Sequence, residues 1–116
     1  MAASGQILRL EELSSNAALH AGASVRVLGK LTGFDAAASE ATLEDAGWPL
    51  KVDTSLLGQP ALRIGGLFSF IGETETRHDG LRLRARVVRC VDGIDLGLFD
   101  RALQLRRQFL QEEEPA

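Results

Sequence analysis

Apolar and polar side chains alternate over Ser24–Phe34. Val25, Val27, Gly29 and Leu31 share one face, and Arg26, Leu28 and Lys30 share the other, which is the period-two pattern of a β-strand. Gly29 interrupts this strand from inside. It suits the bend that lets one long first strand pair with both halves of a small closed barrel. Shorter strands are predicted over Ala41–Leu43 and Trp48–Val52, joined by the turn Glu44-Asp45-Ala46-Gly47. Pro49 has no amide to donate, so that part of the third strand belongs at a sheet edge. Asp53 to Gly66 is too interrupted for a long helix and reads as one short helical turn plus loop. Leu67–Glu73 is apolar on both faces, with Phe68 and Phe70 opposing Leu67, Ser69 and Ile71, as in a strand covered on both sides. Glu73–Gly80 reads as a polar loop ending in the hairpin signal Asp79-Gly80. The last strand is Leu81–Val91. Leu83, Ala85 and Val87 face one way and Arg82, Arg84 and Arg86 the other, with a slip at Val87-Val88 that suggests a bulge.

Outside the strands, residues 1–6 are small and polar and read as a flexible N-terminus. Ile7, Leu8, Leu10 and Leu13 form an apolar cluster suited to covering one barrel end, and Asn16 to Gly22 reads as loop. Asp95 is a candidate N-cap for a helix over Leu96 to about Gln111. Glu112–Ala116 reads as a frayed acidic tail, because acids at a helix C-terminus oppose the macrodipole. The order is three strands, a helical turn, two strands and a helix. That order predicts an all-β domain over 7–111: a five-stranded Greek-key OB-fold barrel with a C-terminal α-helix at 96–111.

The helix carries more apolar surface than one docking face needs. Leu98, Ala102, Leu105 and Phe109 recur at i, i+4, i+7 and i+11, the spacing of a knobs-into-holes seam. Phe99, Leu103 and Leu110 form a second stripe about a quarter-turn away, since successive residues advance by roughly 100°. The second stripe is assigned to the barrel, where it can cover an open end, and the first to a partner helix. The competing arrangement buries both stripes in one compact monomer. An apolar strip left open on a small acidic protein favours association, which points to an obligate partner.

Composition narrows the function. The chain has 116 residues, 45% of them hydrophobic and 25% charged, which suits one ordinary globular domain. Its net charge of -3 opposes an autonomous nucleic-acid binder, whose affinity comes mostly from neutralising phosphates. Five Phe, one Trp and no Tyr leave few rings for base stacking. Trp48 is assigned to packing on its hairpin rather than to stacking a base. Arg82, Arg84 and Arg86 form a basic strand face that offers guanidiniums to phosphates, and Arg77 and His78 precede it. The competing reading pairs that face with carboxylates such as Glu40 or Glu73. Cys90 alone excludes an internal disulfide and fits a reducing compartment; the strand pattern around it predicts a buried, inert thiol. Lacking both a run of about 18 apolar residues and a signal-peptide pattern, the sequence predicts a soluble intracellular protein with no membrane contact. His20 and His78 lie far apart, so no metal-ligand spacing is present, and no phosphate loop or nucleophile motif occurs. The sequence therefore predicts no enzyme, no metal and no cofactor.

Three pieces carry a resemblance: Arg26-Val27-Leu28-Gly29-Lys30-Leu31; Gly66-Leu67 through Gly72-Glu73; and Arg84-Ala85-Arg86-Val87 with Cys90, Gly93 and Leu96. In this order and spacing, residues 7 to 113 resemble the smallest-subunit (TEN) family of the telomeric CST complex. The resemblance implies an OB-fold that pairs with the N-terminal OB domain of the middle CST subunit, much as the small and middle subunits of replication protein A pair. It implies a non-enzymatic role at chromosome ends in the nucleus. There the large CST subunit, telomeric single-stranded DNA and polymerase α–primase take part in end protection and lagging-strand fill-in. Arg26 and Phe109 match positions the family uses at the partner interface. The acidic Glu112–Glu114 departs from a more basic family tail. An autonomous single-strand binder is the alternative.

Overall fold

Valine, leucine and phenylalanine at alternate positions give each strand one face that must leave water, and closing the sheet on itself buries all of those faces together. The computed structural model describes residues 6–15 and 21–113. In chain order these form β1 (Gln6–Ile7), α1 (Leu10–Ser15), β2 (Ser24–Asp35), β3 (Glu40–Asp45), β4 (Trp48–Asp53), a 3-10 turn at Ser55–Leu57, β5 (Leu67–Arg77), β6 (Gly80–Cys90) and α2 (Leu96–Glu113). The ring runs β2-β3-β4-β6-β5 and closes through β5 on β2; β1 adds in parallel on the edge of β2. This closed five-stranded barrel is an OB-fold. Val25, Val27, Leu31, Leu43, Val52, Phe70 and Leu83 fill its interior.

One long strand serves both halves of the barrel. Ser24–Lys30 of β2 pairs with β5, and Lys30–Asp35 pairs with β3. The register irregularity falls between Leu31 and Gly33, not at Gly29. Gly29 serves the pivot differently: a Cβ there would lie 3.2 Å from the Glu44 carbonyl oxygen and 3.3 Å from Leu43 Cβ, so its hydrogen lets β3 come close.

Several boundaries differ from the sequence reading. Gln6, expected in a flexible terminus, pairs with Val25 in β1, and residues 1–5 lie outside the described set. Residues 16–20 of the expected loop, with His20, lie outside it too. The β3–β4 hairpin is tighter than expected, turning on Ala46 and Gly47 alone, at φ 53° and 83°. Glu73–Arg77 is not loop but the continuation of β5, because buried Thr74 satisfies its hydroxyl on the backbone of Ala23. The hairpin then turns at His78-Asp79, with Arg77 opposite Gly80.

The bulge in β6 lies at Arg86, one residue before the predicted slip: Ile71 faces Val87 while Gly72 faces Ala85. This extra residue changes which face is inward. Leu83 and Ala85 point into the core, Val87 turns outward and Val88 packs inward. Cys90 shares the face of Val88, opposite Phe68, but stands at the last position of β6 and is exposed rather than buried. Trp48, expected to pack on its hairpin, is exposed at the start of β4.

The covering of one barrel end comes from the Leu8, Leu10 and Leu13 cluster, as the sequence suggested, and not from the Phe99 stripe of α2. α1 seats Leu10 and Leu13 in the core against β2, β3 and β4. α2 is therefore not needed as a plug and lies on the outside.

Candidate partner-docking face

The start of α2 is fixed by a short set of backbone and carboxylate contacts. Val91 N–H donates to the Leu67 carbonyl at 2.8 Å, and Gly93 turns the chain at φ 95°. Asp92 accepts the Leu67 amide at 2.7 Å and pairs with Arg63. The Leu67 amide bond, with help from Cys90 and Arg63, holds the Asp92 carboxyl below its ordinary value. Asp95 caps the helix as predicted, its Oδ1 accepting the Gly97 and Leu98 amides at 2.9 and 3.1 Å.

At roughly 100° per residue, Leu98, Ala102, Leu105 and Phe109 share one narrow arc of α2, and Leu103 and Arg107 lie nearly opposite. Leu103 is buried at 6% exposure and Phe99 is half-buried. On the other arc, Leu98 is 56%, Leu105 66% and Phe109 57% exposed, and Ala102 is exposed between them. The helix thus has one docked face and one apolar face open to water. The Leu110 side chain lies outside the described set.

Beside the docked face runs a groove of about 200 Å³ between α2 and the outer surface of β2, β5 and β6, lined by Arg26, Leu28, Ile71, Val87, Ile94 and Phe99, among others. Arg26 is half-buried there, and its Nε is buried with no hydrogen-bond partner among the described residues. A buried donor without an acceptor costs about 1–3 kcal/mol. Arg82 Nε on β6 is buried without a hydrogen-bond partner among the described residues in the same way.

A polar bracket holds the inner arc of α2. Arg9 reaches Asp45 on the β3–β4 hairpin at 2.6 Å and Asp100 on α2 at 2.5 Å. Burial lowers the Arg9 pKa, but hydrogen bonds and attraction from Asp100 and Asp45 outweigh it and the net shift is upward. Arg107 grips Glu12 of α1 through two nitrogens, at 2.7 and 3.1 Å, and donates to the Ile7 carbonyl at 2.6 Å. Sequence reasoning missed these five side chains, Arg9, Glu12, Asp45, Asp100 and Arg107. Glu12 and Arg107 are 95 positions apart, and the one available signal was the polar Asp100 and Arg107 on the arc opposite Leu98.

The arginines singled out for phosphates all have carboxylate neighbours. Arg82 lies 3.3 Å from Glu40 and 3.7 Å from Asp79, Arg84 3.9 Å from Glu75 and Arg86 3.6 Å from Glu73. Arg77 pairs with Glu75 at 2.9 Å. These residues lie on β6 and the hairpin before it, and Arg86 also reaches Ser24 Oγ at 3.3 Å, two positions before Arg26 on β2; the groove at Arg26 is lined from α2 by Phe99 and by none of the four stripe residues.

The model of the family described as telomere-capping, CST complex subunit, matches residues 1–113. The chain belongs to that family. The CST complex subunit TEN1 of Arabidopsis thaliana is 35% identical over 113 residues, covering 95% of this chain and 89% of the relative. A chain in the crystal structure of the S. pombe Stn1-ten1 complex superposes with a TM-score of 0.75 at 16% identity, covering 93% of this chain and 96% of its own. A chain of U. maydis Replication protein A bound to ssDNA superposes at 0.72 with 14% identity, covering 99% and 100%. Those two likenesses speak for the OB-fold. The family assignment rests on sequence along nearly the whole chain, from β1 to the end of α2.

Proposed function

We propose that this chain is a non-enzymatic structural subunit of the CST complex that heterodimerises with the N-terminal OB domain of the middle subunit. The contact is made by the outer arc of α2, Leu98, Ala102, Leu105 and Phe109, together with Arg26. The observation that carries this reading is the open apolar arc on a helix whose opposite face is already docked. Covering the exposed parts of Leu98, Leu105 and Phe109 offers roughly 3–5 kcal/mol, taking about 1.5–3 kcal/mol for a fully buried side chain. Arg26 adds a demand for an acceptor, which a partner carbonyl or carboxylate would meet. Through this heterodimer and the large subunit, the chain supports telomeric single-stranded DNA binding, end protection and fill-in by polymerase α–primase. Its place is the nucleus, at chromosome ends.

The experiment is a paired measurement on Phe109→Ala. Affinity for the partner domain should fall by about 30-fold, or roughly 2 kcal/mol, while the chain's own melting changes little. Equal losses in both assays would place Phe109 in the monomer core and end the reading. Expressed alone, the chain should self-associate or be poorly soluble, and co-expression should rescue it. A monodisperse monomer by light scattering counts against it.

The likeness to a chain of Replication protein A keeps one alternative in view, an autonomous single-strand binder using Arg77, Arg82, Arg84 and Arg86. In this reading phosphates must displace Glu40, Glu73, Glu75 and Asp79 from those guanidiniums. The partner reading needs no such exchange.

A further inference from the structure

We propose that residues 7–12 set the pose of α2, with Glu12 and Arg9 as positioning residues for partner binding that never touch the partner. The inference rests on the α2 docking face proposed above. α2 is an 18-residue helix, yet among its described side chains only Leu103 is buried. That is too little apolar contact to fix the helix angle alone. Half-buried Leu96 and Phe99 add contact near the start of the helix, and the polar hold is the bracket: Arg9 between Asp45 and Asp100, and Arg107 between Glu12 and the Ile7 carbonyl. Each bridge joins α2 to a different support, the β3–β4 hairpin in one case and β1 with α1 in the other. Two such supports at Asp100 and Arg107, nearly two turns apart, stop the helix from swinging about the Gly93 turn. The partly exposed pairs are individually weak. Their effect is therefore on the pose of α2 and not on the barrel's stability.

A helix held in place beforehand loses little freedom on association, and a loose one loses more, which appears as weaker binding. Glu12 also accepts the Arg9 amide at 2.8 Å, so Glu12→Gln removes the charge while keeping an acceptor for that amide. Asp100→Asn loosens Arg9 from the helix and leaves its pairing with buried Asp45 intact.

The test uses the full chain carrying Glu12→Gln with Asp100→Asn. Amide hydrogen exchange is read on the chain alone, and affinity is read against the middle subunit's OB domain. Exchange over 99–109 should rise at least tenfold while β5 and β6 amides keep their protection, and affinity should fall about tenfold. High salt on the unmodified chain should move both readouts the same way. Unchanged exchange over 99–109 overturns the proposal, and so does raised exchange with unchanged affinity. The exchange arm needs no partner, so it judges the bracket even if Phe109→Ala fails to weaken the complex and the docking face itself is refuted.

Discussion

Gly72→Ala tests the tightest approach in the barrel. A Cβ at Gly72 would lie 2.0 Å from the Arg84 carbonyl oxygen, 2.7 Å from its carbon and 2.8 Å from Ala85 Cα. All three are backbone atoms, so no side-chain rotation relieves the clash. β6 would have to retreat by about 1 Å to reach even a 3.0 Å contact. The retreat falls at the Arg86 bulge, where Gly72 pairs with Ala85 on one side and Val25 on the other. Overpacking costs about 1–3 kcal/mol, and two strained ladder hydrogen bonds add about 0.5–1.5 kcal/mol each. The expected loss is therefore about 3 kcal/mol. For a domain near 100 residues that lowers Tm by roughly 10–20 °C. Urea and thermal unfolding followed by circular dichroism measure it. Gly33→Ala is the control, because its Cβ meets Thr42 at an ordinary 3.7 Å. A Gly72→Ala chain within about 0.5 kcal/mol of the parent, below any of these terms, would refute the steric argument.

Ala46 occupies φ 53° in the two-residue β3–β4 turn, so Ala46→Asn, giving Asn-Gly there, should stabilise by about 0.5–1 kcal/mol in urea unfolding; a loss would contradict the turn geometry. Asp92 has a depressed carboxyl, so its contribution is full above the unfolded value near 3.8 and fades as pH falls through the lower folded value. Asp92→Asn should flatten the acid limb of the stability profile, and an ordinary titration of Asp92 by NMR would disprove this. The isolated chain should bind a telomeric oligonucleotide weakly; tight binding with a steep salt dependence that Arg82→Ala, Arg84→Ala and Arg86→Ala abolish together would restore the single-strand-binder reading.

Period-two alternation in β2 and the apolar run at the start of β5 determined the strands and which faces turn inward, because burial of an alternating pattern has one solution per strand. The 4-3-4 spacing on α2 determined that the helix would have two apolar arcs, and Asp95 determined where it starts. Tertiary structure decided the rest. Thr74 became strand because Ala23 lay opposite to satisfy its hydroxyl, a contact no local pattern encodes. The Arg86 bulge turned Val87 outward and Val88 inward because Gly72 let β6 approach, and strand phase after a bulge depends on the partner strand; Cys90 is exposed because β6 ends there. The Leu10 and Leu13 cluster was legible as a cover for a barrel end, but that its helix takes the place offered to the Phe99 stripe and leaves α2 outside was decided by the packing of α1 on β2, β3 and β4. The ion pairs that hold α2 join residues more than 90 positions apart, and only the closed barrel brings their charges within reach.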